Sequence, residues 1–425
     1  MEKWNKYFAF FIAILPILDI YGLGFPGISI GKLIITVILI IGIACGMYGF
    51  PSFPKGFMVY FLYMLIIPQI FAVFSGGAFL GDIVYKSIGS IYFMLILGYG
   101  YKYIKLKDFI KYYEITVVVC CLFFLIQEIA SALFNIKIIG LLPLPLTNMD
   151  SLEAQINLLR NLSRSSSFFL EPAHFAQHLS IYLVLKIFSE RKRFFDWKSI
   201  FISLIIIFLR SGTGYMILLL VWVAFFVYCI KERKHTVSIA LTSIALICML
   251  FIGSQFGFLE QEQDSTLSRV GELSSENVSY TSGYVRIYRG YVLYFGLQPM
   301  EKVVGIGAGN LETYVAQNTI DEYEELLFAQ KDMFYLNGIQ QHLVYGGAIG
   351  LFLYLLFLFK LTRKNTIIGI VIVLTVLLHS FISITYNSVT ILQLLIVAGL
   401  LQKQNKLHAS SALQLRSENK KKLSQ

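Results

Sequence analysis

Long apolar runs divided by short polar breaks set the pattern of the chain. A bilayer core of about 30 Å takes roughly 20 apolar residues per helix. Twelve runs come near that length: 7–23, 28–48, 57–75, 81–101, 113–134, 172–188, 197–210, 213–230, 236–256, 339–359, 366–384 and 388–402. The seventh and eighth belong to one apolar stretch, 197–230, broken at Arg210-Ser211-Gly212-Thr213-Gly214. Its 34 residues are too many for one crossing, which predicts a short span, a polar break and a second span. The fold class expected is therefore all-α, a polytopic integral membrane helical bundle of about 12 transmembrane helices. The domain reading follows: a bundle over 1–253 with a loop at 135–171, a large partly helical loop at 254–338, spans over 339–402, and a basic tail at 403–425. The tail is polar and cationic, and is expected to be disordered near anionic lipid.

Composition agrees and removes other classes. Apolar residues make up 57% of the 425 positions and charged residues 14%, with a mean hydropathy of +0.70. An ordinary soluble domain has about 45–50% apolar and about 25% charged residues, so a single soluble core is excluded. With 36 Phe and 26 Tyr, so is a disordered chain. The net charge of +10 would raise the question of nucleic acid in a soluble protein; in a membrane protein the question is which side carries it.

Lys102, Lys105, Lys107 and Lys111, Arg191 to Arg193 with Lys198, Lys231 to Lys234, and Lys360 to Lys364 bound loops that all fall on one side of the twelve-span reading. The positive-inside rule makes that side cytoplasmic, with both termini on it. The inner side then holds 24 of the 35 basic and 7 of the 25 acidic residues, a charge of +17 against −7 outside. No small-residue cleavage site follows the first run, which is read as an uncleaved span. The five cysteines, Cys45, Cys120, Cys121, Cys229 and Cys248, all sit in predicted spans and form no disulfide framework.

Chemistry is expected on the outer face. The 254–338 loop holds eight tyrosines and a helix-like aromatic stretch from Tyr284 to Leu297. Tyrosines suit sugar rings; an aromatic belt at the membrane interface is the other reading. Gly305-Ile-Gly307-Ala-Gly309-Asn310 imitates a phosphate loop but lacks the dinucleotide spacing, and reads as a tight turn. No P-loop or nucleotide-sugar domain is present on the inner side. Pro172 suits a first helical position, which puts Glu171 at a helix N-terminus at the membrane surface. His174 and His178 share a helical face with it, at a spacing unlike that of the H-E-x-x-H zinc helix; no metal or cofactor is expected. Arg160, Arg164, Arg210, Arg286 and Arg289 lie at outer span ends or in the outer loop, where convergent guanidinium groups would bind a lipid pyrophosphate. Asp19, Lys86 and Glu128 lie within spans and are either functional or paired between helices.

These elements resemble, in order, those of the bacterial O-antigen and capsular repeat-unit polymerases and the related O-antigen ligases. "RSSSFFLEPA" (Arg164 to Ala173) is similar to the family's Arg…Ser…Phe-Glu-Pro element, and "RSGTG" (Arg210 to Gly214) to its break between two spans. Arg286 and "GIGAGN" (Gly305 to Asn310) resemble its loop arginine and glycine-rich element. "NGIQQHLVYGGAIGL" (Asn337 to Leu351) resembles its Asn…Gly-x-x-Gly segment that re-enters the membrane. Ligases carry His before that Asn; here the residue is Leu336, which favours polymerase over ligase.

The resemblance implies a GT-C-like glycosyltransferase of the bacterial cytoplasmic membrane, working on its outer face. Its substrates would be an undecaprenyl-pyrophosphate-linked glycan donor and a lipid-linked acceptor, with membrane lipid, a chain-length regulator and a flippase as partners and no nucleic acid. Position and chemistry assign pyrophosphate binding to Arg164, Arg210, Arg286 and Arg289, the base to Glu171, and a second candidate base to His174. A lipid-linked oligosaccharide flippase is the alternative of another class, against which the long outer loop and the lack of internal repeats argue.

Overall fold

The computed structural model describes residues 1–23, 29–75, 80–142, 144–146, 165–189, 197–231, 282–317, 336–363, 365–382 and 385–423. Among them the ordered elements are helices, joined by two isolated antiparallel bridges, Tyr21 with Leu146 and Gly22 with Ser29. In chain order they are α1 (Glu2–Leu18), α2 (Ile30–Ala44), α3 (Phe57–Phe74), α4 (Leu80–Tyr103), α5 (Leu106–Phe134), α6 (Pro172–Ser189), α7 (Trp197–Phe208), α8 (Gly212–Lys231), α9 (Ser282–Gly296), α10 (Pro299–Val304), α11 (Leu311–Gln317), α12 (Gly338–Thr362), α13 (Ile367–Ile382) and α14 (Val389–Leu423). Eleven of the twelve predicted spans coincide with a helix; the other, the ninth (236–256), lies outside the described residues.

Five of these helices, α3, α4, α5, α8 and α12, are long and apolar enough to cross a membrane. Their surfaces explain why water is the wrong solvent. On α3, Ile66, Ile67, Ile70 and Val73 face outward, and on α5 so do Val118, Leu122, Ile126 and Ile129. Contiguous exposed apolar faces of this size on several neighbouring helices suit hydrocarbon. The chain is a multi-pass helical membrane protein.

Helices buried on all sides form the centre. From Ile391 to Gln402 every residue of α14 is buried, and α6 is almost as enclosed from Phe175 to Leu185. α13 lies against α14, α6, α8 and α12, while α1, α4 and α12 also reach α14. Such helices need their polar groups satisfied internally. Pro16 in α1 offers no N–H to the carbonyl of Ile12, four residues back. The buried Gln393 side chain on α14 supplies the donor, with Nε2 2.6 Å from the Ile12 oxygen and 3.2 Å from that of Ala13.

Polar ties also fix the two ends. Glu114 on α5 meets Lys198 at 2.7 Å, Lys186 at 3.4 Å and the Tyr182 hydroxyl at 2.9 Å, joining α5, α6 and α7. Asp19 accepts from Ser29 Oγ and lies 3.8 Å from Lys32 on α2, so its charge has an inter-helix partner. The expected disordered tail is corrected: α14 runs unbroken from Val389 to Leu423. No Gly or Pro follows Gly399, and the segment is rich in Leu, Ala, Gln and Lys, all strong helix formers. At 1.5 Å per residue its 35 residues span about 52 Å, well beyond the bilayer core.

Candidate functional site

Two sets of elements far apart in sequence are brought together. The first is built on α5. Ser167 adopts a left-handed backbone, φ 56°, and is buried. Its N–H donates to Gln127 Oε1 at 2.8 Å and its hydroxyl to the Cys120 carbonyl at 2.8 Å, both on α5. Phe168 stacks on Phe123 at 4.4 Å and Phe169 on Phe175 at 5.3 Å. The segment is thereby pinned, and α6 begins at Pro172 as the sequence predicts. Glu171 sits just before it, its carbonyl accepting the His174 N–H at 3.1 Å, and both side chains are exposed.

Beside this turn lies the break between α7 and α8. A Cβ on Gly214 would lie 3.2 Å from Ala176 Cβ in α6 and 3.0 Å from Ile206 Cγ2 in α7, so α8 starts in close contact with both helices and a larger side chain here would press on them. Arg210, which ends the α7 turn, is half-buried and held at φ 49°, a conformation that β-carbon-bearing residues adopt at a cost. The arrangement sets a carboxylate, an imidazole and a guanidinium-bearing turn at one end of the bundle.

The second set is a fold-back. Gly347 in α12 has φ 65° and ψ −169°, which breaks the helix. The Gly338–Gly346 half then bends onto the following half: His342 O would be 3.2 Å from a Cβ on Gly350. The break frees the carbonyls of Val344 and Tyr345, and the turn after α10 caps both, Ile306 N–H at 2.9 Å and Gly307 N–H at 3.1 Å. The two backbones touch. A Cβ on Gly305 (φ 91°) would strike the Tyr345 carbonyl, and one on Gly347 the Val303 carbonyl. "GIGAGN" is thus a tight turn with positive φ at all three glycines, packed against α12 at Gly305, α3 at Gly307 and α4 at Gly309 before α11 begins at Leu311.

A polar network lines the fold-back. His342, fully buried, bonds Tyr60 Oη through Nε2 at 2.7 Å and the Gly338 carbonyl through Nδ1. Tyr354 reaches Ser380 Oγ at 3.0 Å, Tyr386 reaches Ser90 Oγ at 2.9 Å, and the Tyr386 N–H donates to Gln341 Oε1 at 3.0 Å. Gln69, its amide oriented to suit both partners, lies 3.2 Å from the Ala308 carbonyl and 2.9 Å from its N–H. The sequence reading did not single out Tyr60, Tyr354 or Tyr386; the Gly346-Gly347 pair within an apolar run was the available sign of a break.

Arg164 and Arg160 lie outside the described residues, and Arg286 belongs to α9 with its side chain outside them. Arg289 is only 5% exposed, where α9 packs on α12 and α13, so it is an interior residue rather than an outward one. His178 is buried and separated from Glu171 and His174 in environment: its Nδ1 is 2.9 Å from Tyr113 Oη and its ring packs on Phe169. Two loop tyrosines make internal bonds, Tyr294 to the Lys302 carbonyl at 3.0 Å and Tyr314 to Glu301 Oε2 at 2.7 Å. Burial pushes the Tyr314 hydroxyl's pKa up, and the neighbouring carboxylate raises it further, so it stays protonated as a donor. Among the described residues no cluster of three His, Cys, Asp or Glu is arranged to hold a metal.

No family model matches the chain. A stretch of 110 residues, 25% of the chain, is 31% identical to a protein from Aquifex aeolicus (strain VF5) described as a probable lipid II flippase MurJ. That stretch spans 22% of the relative's length.

Proposed function

We propose that this protein is a membrane glycosyltransferase that polymerises polyprenyl-pyrophosphate-linked oligosaccharide repeat units. What supports the reading is the close approach of α8 to α6 near their starts, Gly214 beside Ala176, which puts the Glu171–His174 turn and the Arg210 turn at the same end of the bundle. Polymerisation needs two functions side by side. One is a group to take the proton of the attacking sugar hydroxyl; Glu171, exposed at a helix start, has that role, with His174 second. The other is fixed positive charge for the departing pyrophosphate, supplied by Arg210 with Arg164 and Arg286. In the step the acceptor oxygen bonds the donor's anomeric carbon, the bond from that carbon to the pyrophosphate oxygen breaks, and the proton passes to the base.

A second reading is favoured by the similarity to the probable lipid II flippase. In it the bundle moves a lipid-linked saccharide across the bilayer without altering it. Both readings share a lipid-linked glycan substrate, and deletion of the gene with electrophoresis of the glycans separates them. Loss of a polymerase leaves chains of one repeat unit; loss of a flippase leaves the repeat units trapped inside. Unchanged long-chain glycan, with no second polymerase in the cell, defeats the proposal.

A further inference from the structure

Where α4 hands over to α5 and α14 leaves the bundle, a cleft of about 560 Å³ opens. Its floor is apolar, made by Ile104, Leu106 and Ile110 at the corner and by Leu400 and Leu407 on α14. Lys105, Lys107 and Lys403 stand around it, all exposed. The cleft lies at the end of the bundle where the chain begins, because Lys105 Nζ is 3.1 Å from Glu2 Oε1. Lys403 is held in place, 3.4 Å from the Lys102 carbonyl and 5.6 Å over the Tyr101 ring. The nearby Lys102 donates to the Phe50 carbonyl at 2.6 Å, which leaves the rim to the other three.

We infer that this cleft binds an anionic glycerophospholipid of the surrounding leaflet, its phosphate among Lys105, Lys107 and Lys403 and an acyl chain along the floor. The combination of features selects the ligand. A free phosphate has no use for an apolar floor joining two helices. A zwitterionic lipid would bring its own cation against three lysines, of which, among the described residues, only Lys105 shares its charge with a carboxylate. An anionic lipid satisfies both halves, since basic residues next to an apolar surface attract anionic head groups. Two of the lysines come from the α4–α5 corner and one from α14, so the lipid would also tie the long last helix to the bundle.

The test is native mass spectrometry of the full-length protein in detergent, titrated with phosphatidylglycerol, phosphatidylcholine or inorganic phosphate. Phosphatidylglycerol should be retained at concentrations about tenfold lower than phosphatidylcholine. The preference should vanish in the triple variant Lys105→Gln, Lys107→Gln, Lys403→Gln and persist in Lys231→Gln, which removes a lysine at the end of α8. Leu407→Glu, which sets a negative charge on the floor without touching a lysine, should lower retention too, and serves if the triple variant is unstable. Equal retention of the two lipids, an unchanged preference in the triple variant, or full displacement of the lipid by inorganic phosphate overturns the inference.

Discussion

The ring of His342 stacks on that of Tyr354 with centroids 3.9 Å apart. Twelve residues separate them, and in a straight helix that interval spans about 18 Å. The contact therefore measures the fold-back at Gly347 directly. It also explains why a 25-residue apolar helix need not be one rod: a stretch that could cross the membrane outright instead spends its first nine residues inside the bundle. Broken backbone of this kind is tolerated at membrane depth only where protein covers it, and here the 305–310 turn does so.

Gly347→Val should destroy this arrangement. The new side chain meets the Val303 carbonyl and also forces a β-branched residue to φ 65°. Backbone strain of this sort costs roughly 1–3 kcal/mol before the clash is counted. The melting temperature of the detergent-purified protein should fall clearly, whereas Gly89→Ala, a helical glycine with open space around it, should leave it unchanged or raise it. Equal melting temperatures for the two variants would contradict the interlock.

Tyr60→Phe removes the hydroxyl that meets His342 Nε2 at 2.7 Å in a fully buried setting. A buried polar atom left without a partner costs about 1–3 kcal/mol. Replacing both residues by apolar ones removes the donor and the acceptor together, so Tyr60→Phe combined with His342→Phe should cost less than the sum of the single changes. Thermal unfolding of the four proteins in the cycle measures the coupling, and strict additivity would show that the bond carries none.

Much of the fold could be read from the sequence because bilayer thickness sets helix length. The start of α6 at Pro172 and the break at Arg210 to Gly214 follow from one residue type each, a missing N–H and a run of small polar residues. The fold-back is marked in the sequence by the Gly346-Gly347 pair and by the resemblance, and not by mean hydropathy, which cannot distinguish a crossing from a bent helix. Arg289 shows the same limit for the site. Its place in the sequence, in a polar loop, says outward, and packing of α9 on α12 makes it interior. The tail departs from the expected disorder because polarity alone does not prevent a helix, and the absence of Gly and Pro after Gly399 is the better guide.

Gln393→Leu should unfold α14 from α1 at lower temperature, since the Ile12 carbonyl loses the donor that replaces the N–H missing at Pro16. The expected loss is about 1 kcal/mol. Pro16→Ala restores the backbone N–H, so in that background the same Gln393→Leu change should cost much less. An equal cost in both backgrounds would mean that the amide serves some other role than capping the proline gap.

Arg210 allows its charge and its backbone to be tested apart. At φ 49°, Arg210→Gly relieves a strain of roughly 1 kcal/mol while deleting the guanidinium; Arg210→Ala deletes the guanidinium and keeps the strain. Both variants lack the guanidinium and differ only in the strain, so the glycine variant should accordingly melt above the alanine variant. If the guanidinium holds the departing pyrophosphate, both should lose long glycan chains in cells at normal protein abundance, because activity then follows the charge and not the stability. Long chains in cells carrying Arg210→Gly would separate the turn from the chemistry and leave Arg210 a structural residue.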